Sequence, residues 1–262
     1  MSEPVRYDVD GAVATITLDR PDAMNAVDLA TKLALPEMLK KAAQDPLVRA
    51  VVLTGTGRAF CVGQDLREHA ELLAAGDPAP LNTVTEHFNP IVRLLWGMPK
   101  PTIAAVNGAA AGAGAALAFA CDFRIAADTA KFSMAFTSIG LVPDSGASWT
   151  LPRLVGYPRA MQMLLSPAPV TAADALAWGL VTSVVPASEV LTTATALATM
   201  LATGPTTAYA LTKRLLQAGL AGDLSTTLEL EGELQSQAGR TNDHANAVRS
   251  FLAKETPVFE GH

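Results

Sequence analysis

Apolar and polar positions alternate through residues 5–9 and again through Val13-Ala14-Thr15-Ile16-Thr17-Leu18, where Arg20-Pro21-Asp22 ends the run. A period of two predicts strands with one face in a core, then a loop. Asp28 stands where a helix N-cap belongs, ahead of Leu29, Leu33, Leu35 and Leu39, and that helix runs out at Asp45-Pro46. Residues 48–54 form a short apolar run closed by Gly55-Thr56-Gly57, so the order begins strand, helix, strand. Residues 101–106 read as another buried strand, 111–120 as a helix and 122–126 as a third apolar run. Strands and helices alternate in this way to about Pro186, which predicts an α/β core over residues 1–188.

After Glu189 the period is helical throughout, over 190–202, 206–218, 224–238 and 245–253, with Gly204-Pro205 and Gly222-Asp223 as punctuation. Residues 189–262 are therefore read as a helical region. Its apolar faces need cover from the core or from a sister subunit, and oligomerisation is the favoured expectation.

Composition narrows the function. The 262 residues are 50% apolar and 17% charged, enough to bury a large core. The net charge is −6, the sequence pI about 5.2, and Lys and Arg are spread thinly. No basic stripe points to nucleic acid or an anionic membrane, so the expected partners are small molecules and copies of the chain. Cys61 and Cys121 make no CxxC pair and no histidine lies at metal-ligand spacing from them. Neither a disulfide framework nor a zinc site is expected, and a reducing cytoplasm fits. The amino terminus runs straight into the first strand pattern, so no export signal is expected. The most apolar stretch, 102–120, contains Asn107 and several glycines and meets Asp122 at once, so it reads as strand, loop and helix rather than as a membrane span.

Two glycine-bearing turns follow strands: Gly55-Thr-Gly-Arg58-Ala-Phe-Cys61-Val-Gly63-Gln64-Asp65-Leu66-Arg67, and Asn107-Gly108-Ala-Ala-Ala-Gly112-Ala113-Gly114. Small residues let backbone approach a ligand closely, and the second turn opens a helix whose free N–H groups favour negative charge. The pattern allows a shared anion hole or simply two tight turns. The glycine spacing does not match a dinucleotide fingerprint. Asp144, at the mouth of the turn Gly140-Leu-Val-Pro143-Asp144-Ser145-Gly146, suits either a cap for the helix through Trp149 or an acid–base group. His69, His87, His244 and His262 have no Ser or Asp partner at a catalytic spacing, Ser145 lies in no nucleophile elbow, and Cys61 reads as a small buried thiol.

In order along the chain, Arg20-Pro21-Asp-Ala-Met-Asn25-Ala26, Arg58-Ala-Phe-Cys-Val-Gly63-Gln64-Asp65-Leu66-Arg67, Lys100-Pro101-Thr-Ile-Ala-Ala-Val-Asn107-Gly108, Ala120-Cys-Asp122 and Ala175-Leu-Ala-Trp-Gly179-Leu-Val resemble the successive signatures of the crotonase (enoyl-CoA hydratase/isomerase) superfamily. The resemblance implies a ClpP-like spiral of ββα units, a carboxy-terminal region that assembles trimers or dimers of trimers, and an acyl-CoA thioester as substrate with no separate cofactor and no metal. By matching positions it implies the backbone N–H groups of Gln64 and Ala113 as oxyanion-hole donors. Ala26, Arg58, Asp65, Leu66, Arg67, Gly112 and Phe136 fall where the family contacts CoA or substrate, and Phe251 and Lys254 where it reaches the CoA of a neighbouring subunit. A solvated terminal charge is the alternative reading of Lys254, set behind the CoA contact that the resemblance implies.

Family hydratases place two glutamates at the positions that Ala116 and Phe136 occupy here, so water addition is not the expected chemistry. Asp144 falls where isomerase branches carry their base, and where a dehalogenase branch carries a nucleophile. Desolvation beside Phe136 and Leu141 is expected to raise its pKa. Within the superfamily, Phe88-Asn89-Pro90, Met134-Ala-Phe136, Pro143-Asp144-Ser145-Gly146 and Phe251-Leu-Ala-Lys254 are most similar to the branch that isomerises ring-1,2-epoxyphenylacetyl-CoA. Ala147-Ser148-Trp149 departs from that branch after Gly146.

Overall fold

A computed structural model describes residues 3–166 and 168–262. In chain order the strands are β1 (Val5–Asp10), β2 (Val13–Leu18), β3 (Ala50–Gly55), β4 (Ala59–Cys61), β5 (Thr102–Val106), β6 (Ala109–Ala111), β7 (Phe123–Ala127), β8 (Lys131–Ser133), β9 (Val170–Thr171) and β10 (Ser183–Val185). The helices are α1 (Leu29–Gln44), α2 (Leu66–Ala74), α3 (Asn89–Trp96), α4 (Ala113–Phe119), α5 (Ala147–Val155), α6 (Tyr157–Leu165), α7 (Ala172–Ala177), α8 (Val190–Ala202), α9 (Thr206–Gly219), α10 (Leu224–Ala238) and α11 (Asn242–Ala253).

The strands divide between a larger sheet of order β1-β2-β3-β5-β7-β10 and a smaller one of order β4-β6-β8-β9. Three times in succession the chain lays a strand in the larger sheet, a strand in the smaller one, and then a helix: β3-β4-α2, β5-β6-α4 and β7-β8-α5. These are the turns of the ββα spiral. The β3, β5 and β7 strands run parallel, with Val52 beside Ile103 and Ile103 beside Phe123. Every residue of β3 and β5 is buried, which is why those segments read as unbroken apolar runs rather than as alternating ones.

Several details depart from the sequence reading. Asp28 does cap α1, accepting from the Thr31 N–H at 2.9 Å, but the buried stripe is Thr31, Leu35, Leu39 and Ala42. Leu29 and Leu33 point outward, because positions two apart on a helix lie on nearly opposite faces. The segment expected to be helical from residue 111 begins as β6, which pairs with β4 and β8, and α4 starts only at Ala113.

The α8 helix lays Val190, Ala194, Ala198 and Ala202 on the larger sheet. Beyond it, α9 is tied to the core by Lys213 Nζ to Asp122 Oδ2 at 2.6 Å. Arg49 pins the tail by donating to Thr206 Oγ1 and the Phe259 carbonyl, both at 2.9 Å. The outer helices nevertheless expose Leu216, Leu220, Leu224, Leu228, Val248, Phe251 and Leu252. No helix among the described residues is long and apolar enough to cross a membrane.

Candidate active site

The two glycine turns meet. Val27 donates to the Gly63 carbonyl at 2.8 Å and accepts from the Asp65 N–H at 3.1 Å, so the backbone on both sides of Gln64 is fixed. The Gln64 N–H lies between those two bonds and has no partner among the described residues. The Ala113 N–H, first in α4, has none either. Gly63 holds φ +86°, and a methyl group placed there would sit 3.1 Å from the Ala113 nitrogen and 3.0 Å from the Ala111 carbonyl oxygen. Glycine at 63 therefore brings one turn against the other and leaves both N–H groups accessible. Ala113 needs no left-handed backbone, so its methyl group is carried at no conformational cost.

The loop that holds Gln64 is braced from behind. Asn25, buried with φ +56°, donates from Nδ2 to the carbonyls of Thr56 at 3.0 Å and Ala59 at 2.8 Å. Arg20 donates to Asp65 Oδ2 at 3.0 Å and to the Ala26 carbonyl. Asp65 caps α2, its Oδ1 accepting from the Arg67 N–H at 3.0 Å. Burial by itself raises the Asp65 carboxyl, but the Arg20 hydrogen bond and the helix N–H groups outweigh it and hold the pKa below the usual carboxylate value. Cys61, fully buried behind the turn, has its thiol pushed up to about 12 by desolvation, as an inert core thiol should.

In front of Gln64 and Ala113 is a cleft of about 110 Å³. Its wall is mostly hydrocarbon, from Leu66, Leu81, Val84, Phe136, Ile139 and Leu141, and Asp144 is the one carboxylate on it among the described residues. Asp144 is not a helix cap. The chain passes through left-handed Ser145 (φ 52°) and Gly146 (φ 76°) before α5 begins, and only the Asp144 main-chain carbonyl bonds back to that helix, at Ala147. Its side chain accepts from the Ser145 hydroxyl at 2.8 Å. Burial raises the Asp144 pKa, opposed by that hydroxyl.

The cleft gathers Gln64, Ala113, Gly112, Phe136, Leu66 and Asp144. Ala116 is wholly buried inside α4 and Phe136 presents its ring, so neither hydratase-glutamate position offers a polar group. Ala26, Arg58, Asp65 and Arg67 lie off the cleft wall, as do Phe251, 81% exposed near the end of α11, and Lys254 at its C-cap. His69, set aside in the sequence for want of a catalytic partner, and Thr83, not singled out there, also line the cleft; a helix cap at Asp65 would have marked His69 as one turn into α2. No cluster of His, Cys, Asp and Glu fit to hold a metal occurs among the described residues.

Two open backbone N–H groups at a strand-to-helix turn, facing an apolar cleft in a ββα spiral, are the features of a crotonase-fold enzyme site. The chain belongs to the enoyl-CoA hydratase/isomerase family, whose model matches residues 8–262. It is 42% identical over 261 residues to the 1,2-epoxyphenylacetyl-CoA isomerase of Escherichia coli, covering 100% of both chains. It is 44% identical over 258 residues, 98% of each chain, to a Rhodobacter capsulatus protein described as "Probable enoyl-CoA hydratase". A solved Mycobacterium abscessus protein assigned to the enoyl-CoA hydratase/isomerase group superposes with TM-score 0.95 at 45% identity, over 98% of this chain and 100% of that one.

Proposed function

We propose that this family member is an acyl-CoA isomerase, shifting a double bond or opening a ring epoxide of a CoA thioester with no net gain or loss of atoms. The observation that carries the reading is the lone carboxylate: Asp144 faces the cleft, and hydrocarbon occupies both positions where hydratases of the family hold glutamates. Adding water needs one group to orient the nucleophile and another to move the proton. Isomerisation needs a single base that takes a proton from one carbon and returns it to another.

The thioester carbonyl accepts from the N–H groups of Gln64 and Ala113. Asp144 removes a proton beside that carbonyl, negative charge develops on the thioester oxygen, and the two donors stabilise it where it forms. The protonated carboxyl then returns the proton at a different carbon, and the enolate collapses to the isomer. A raised pKa makes Asp144 a stronger base once ionised and a proton donor afterwards.

The CoA moiety runs out past Leu66 and Gly112 toward Ala26, Arg58, Asp65 and Arg67, with Phe136 against the acyl group. Phe251 and Lys254 serve a neighbouring copy in a homotrimer or dimer of trimers, which also covers the exposed leucines of α9 and α10. The substrate supplies its own CoA and no separate cofactor takes part. A cytoplasmic setting suits a thioester substrate and two buried free thiols.

The test is mass-resolved turnover of 2-enoyl, 3-enoyl and ring-epoxide thioesters in deuterium oxide by wild type and Asp144→Asn. Isomerised product, with at most hydrogen exchanged for deuterium and lost in the variant, is the expected result. A hydrated product retained in the variant overturns the proposal in favour of a hydratase, and halide release from a haloaromatic thioester would make Asp144 a nucleophile instead.

A further inference from the structure

The Asp144 main chain is held on both sides. Pro143 precedes it with a restricted backbone, and its carbonyl accepts from the Ala147 N–H at 2.9 Å, so the freedom left to the carboxylate is rotation of its own side chain. Ser145 removes that freedom by donating its hydroxyl to Asp144 Oδ1 at 2.8 Å. Oδ2 accepts from no described residue and is not sealed from solvent, which leaves it as the oxygen free to meet a C–H group in the cleft.

Two features set this serine apart. It is 1% exposed and adopts φ 52°, a left-handed backbone that strains any residue with a Cβ and that glycine takes without strain. Gly146, next in the chain at φ 76°, shows that the turn admits glycine. Serine hydroxyls that bond locally usually bond the backbone, whereas this one bonds the neighbouring carboxylate. A strained side chain kept beside a reacting group points to a role at the site. One other titratable group shares the cleft wall: His69, from α2. The segments 62–64, 81–84, 111–113 and 135–141 bring none to it.

We infer that Ser145 is a positioning residue for the base, its hydroxyl holding Oδ1 so that Oδ2 alone takes the proton from carbon and returns it. A hydroxyl bonds an ionised carboxylate more strongly than a neutral carboxyl, so it stops the base from turning before the proton moves. The arriving proton then settles on the free oxygen, from which it can be handed back. The inference rests on the reading of Asp144 as the base and names the group that aims it.

Ser145→Ala removes the hydroxyl and keeps the strained backbone; Ser145→Gly removes both. Turnover of 3-enoyl and ring-epoxide thioesters is followed across pH for wild type, both variants and Asp144→Asn, beside calorimetric Tm. Both serine variants are expected to lose about tenfold or more in kcat with KM within about twofold, since a base no longer aimed weakens the chemical step and not binding. In both, the rising limb of kcat/KM should move to higher pH, because a donor to the ionised form is gone. Ser145→Gly should nevertheless melt above Ser145→Ala. A serine that serves only stability predicts instead that rate recovers together with Tm in the glycine variant and that the limb stays in place. That pattern, or wild-type kcat in both folded variants, overturns the inference while Asp144→Asn stays inactive. An active Asp144→Asn, or no turnover of either thioester by wild type, overturns the base itself and the inference with it.

Discussion

Replacing Gly63 with alanine tests the proposed oxyanion hole without touching either N–H donor. The added methyl group would lie 3.1 Å from the Ala113 nitrogen and 3.0 Å from the Ala111 carbonyl oxygen. An oxyanion must come within about 2.7–3.1 Å of that same nitrogen, so methyl and oxygen compete for space beside one N–H. Loss of one such donor lowers kcat by about 10²–10³, or about 2.7–4 kcal/mol. The φ of +86° adds a stability cost of about 1–2 kcal/mol for a non-glycine residue. Gly11→Ala is the control: its φ is +55°, a methyl group there meets nothing within 4 Å, and it sits in the β1–β2 turn away from the cleft. Both variants should lose a few degrees of Tm, and only Gly63→Ala should lose rate. The assay is steady-state turnover beside α-proton exchange read by mass spectrometry, with calorimetric Tm for both proteins. A folded Gly63→Ala enzyme within about threefold of wild-type kcat would refute the donor assignment, because a blocked hole cannot cost so little.

Four further predictions follow from the same structure. Because burial raises the Asp144 pKa, kcat/KM should rise with pH along a limb above the ordinary aspartate range, and a limb at or below that range would count against Asp144 as the base. The raised value also means that the stability Asp144 contributes is full below its unfolded pKa and is lost as pH rises through the folded one, so Asp144→Asn should gain stability relative to wild type at neutral pH, measured by urea unfolding at acid and neutral pH. Asp65→Ala should cost about 1–2 kcal/mol through loss of the α2 cap and the Arg20 pair; since the Asp65 pKa is lowered, that contribution is present above the unfolded carboxyl value and fades as pH falls through the folded one, and urea midpoints that differ equally at both pH values would contradict this. Cys61 and Cys121, buried with thiols pushed up to about 12, should resist a thiol reagent in the native protein and react fully in denaturant.

Long periodic segments were the most legible part of the chain. The bounds of α8 and α10 match the helical pattern, since each is a continuous run closed by Gly204-Pro205 or opened by Asp223. The β6 strand was not legible: three alanines carry no period, and only pairing with β4 and β8 makes them a strand. The two readings of Asp144 could not be separated locally, because the choice turns on the left-handed backbone at Ser145 and Gly146. The motifs pointed to Gln64, Ala113 and Asp144, and the fold brings all three to one cleft. His69, set aside in the sequence for want of a catalytic partner, reaches the cleft because Asp65 caps α2 and places it one turn in. Fold alone does not separate a hydratase from an isomerase, so the proposed isomerase reading rests on which side chains line the cleft, above all Phe136 and Asp144.

The most direct test of the central claim is a single incubation of 2-enoyl, 3-enoyl and ring-epoxide thioesters with wild-type enzyme in water enriched in heavy oxygen, with products resolved by mass and chromatography. Isomers that have taken up no solvent oxygen are the expected products. A product carrying the heavy label would show that water is a reactant and that a lone Asp144 does not define the chemistry.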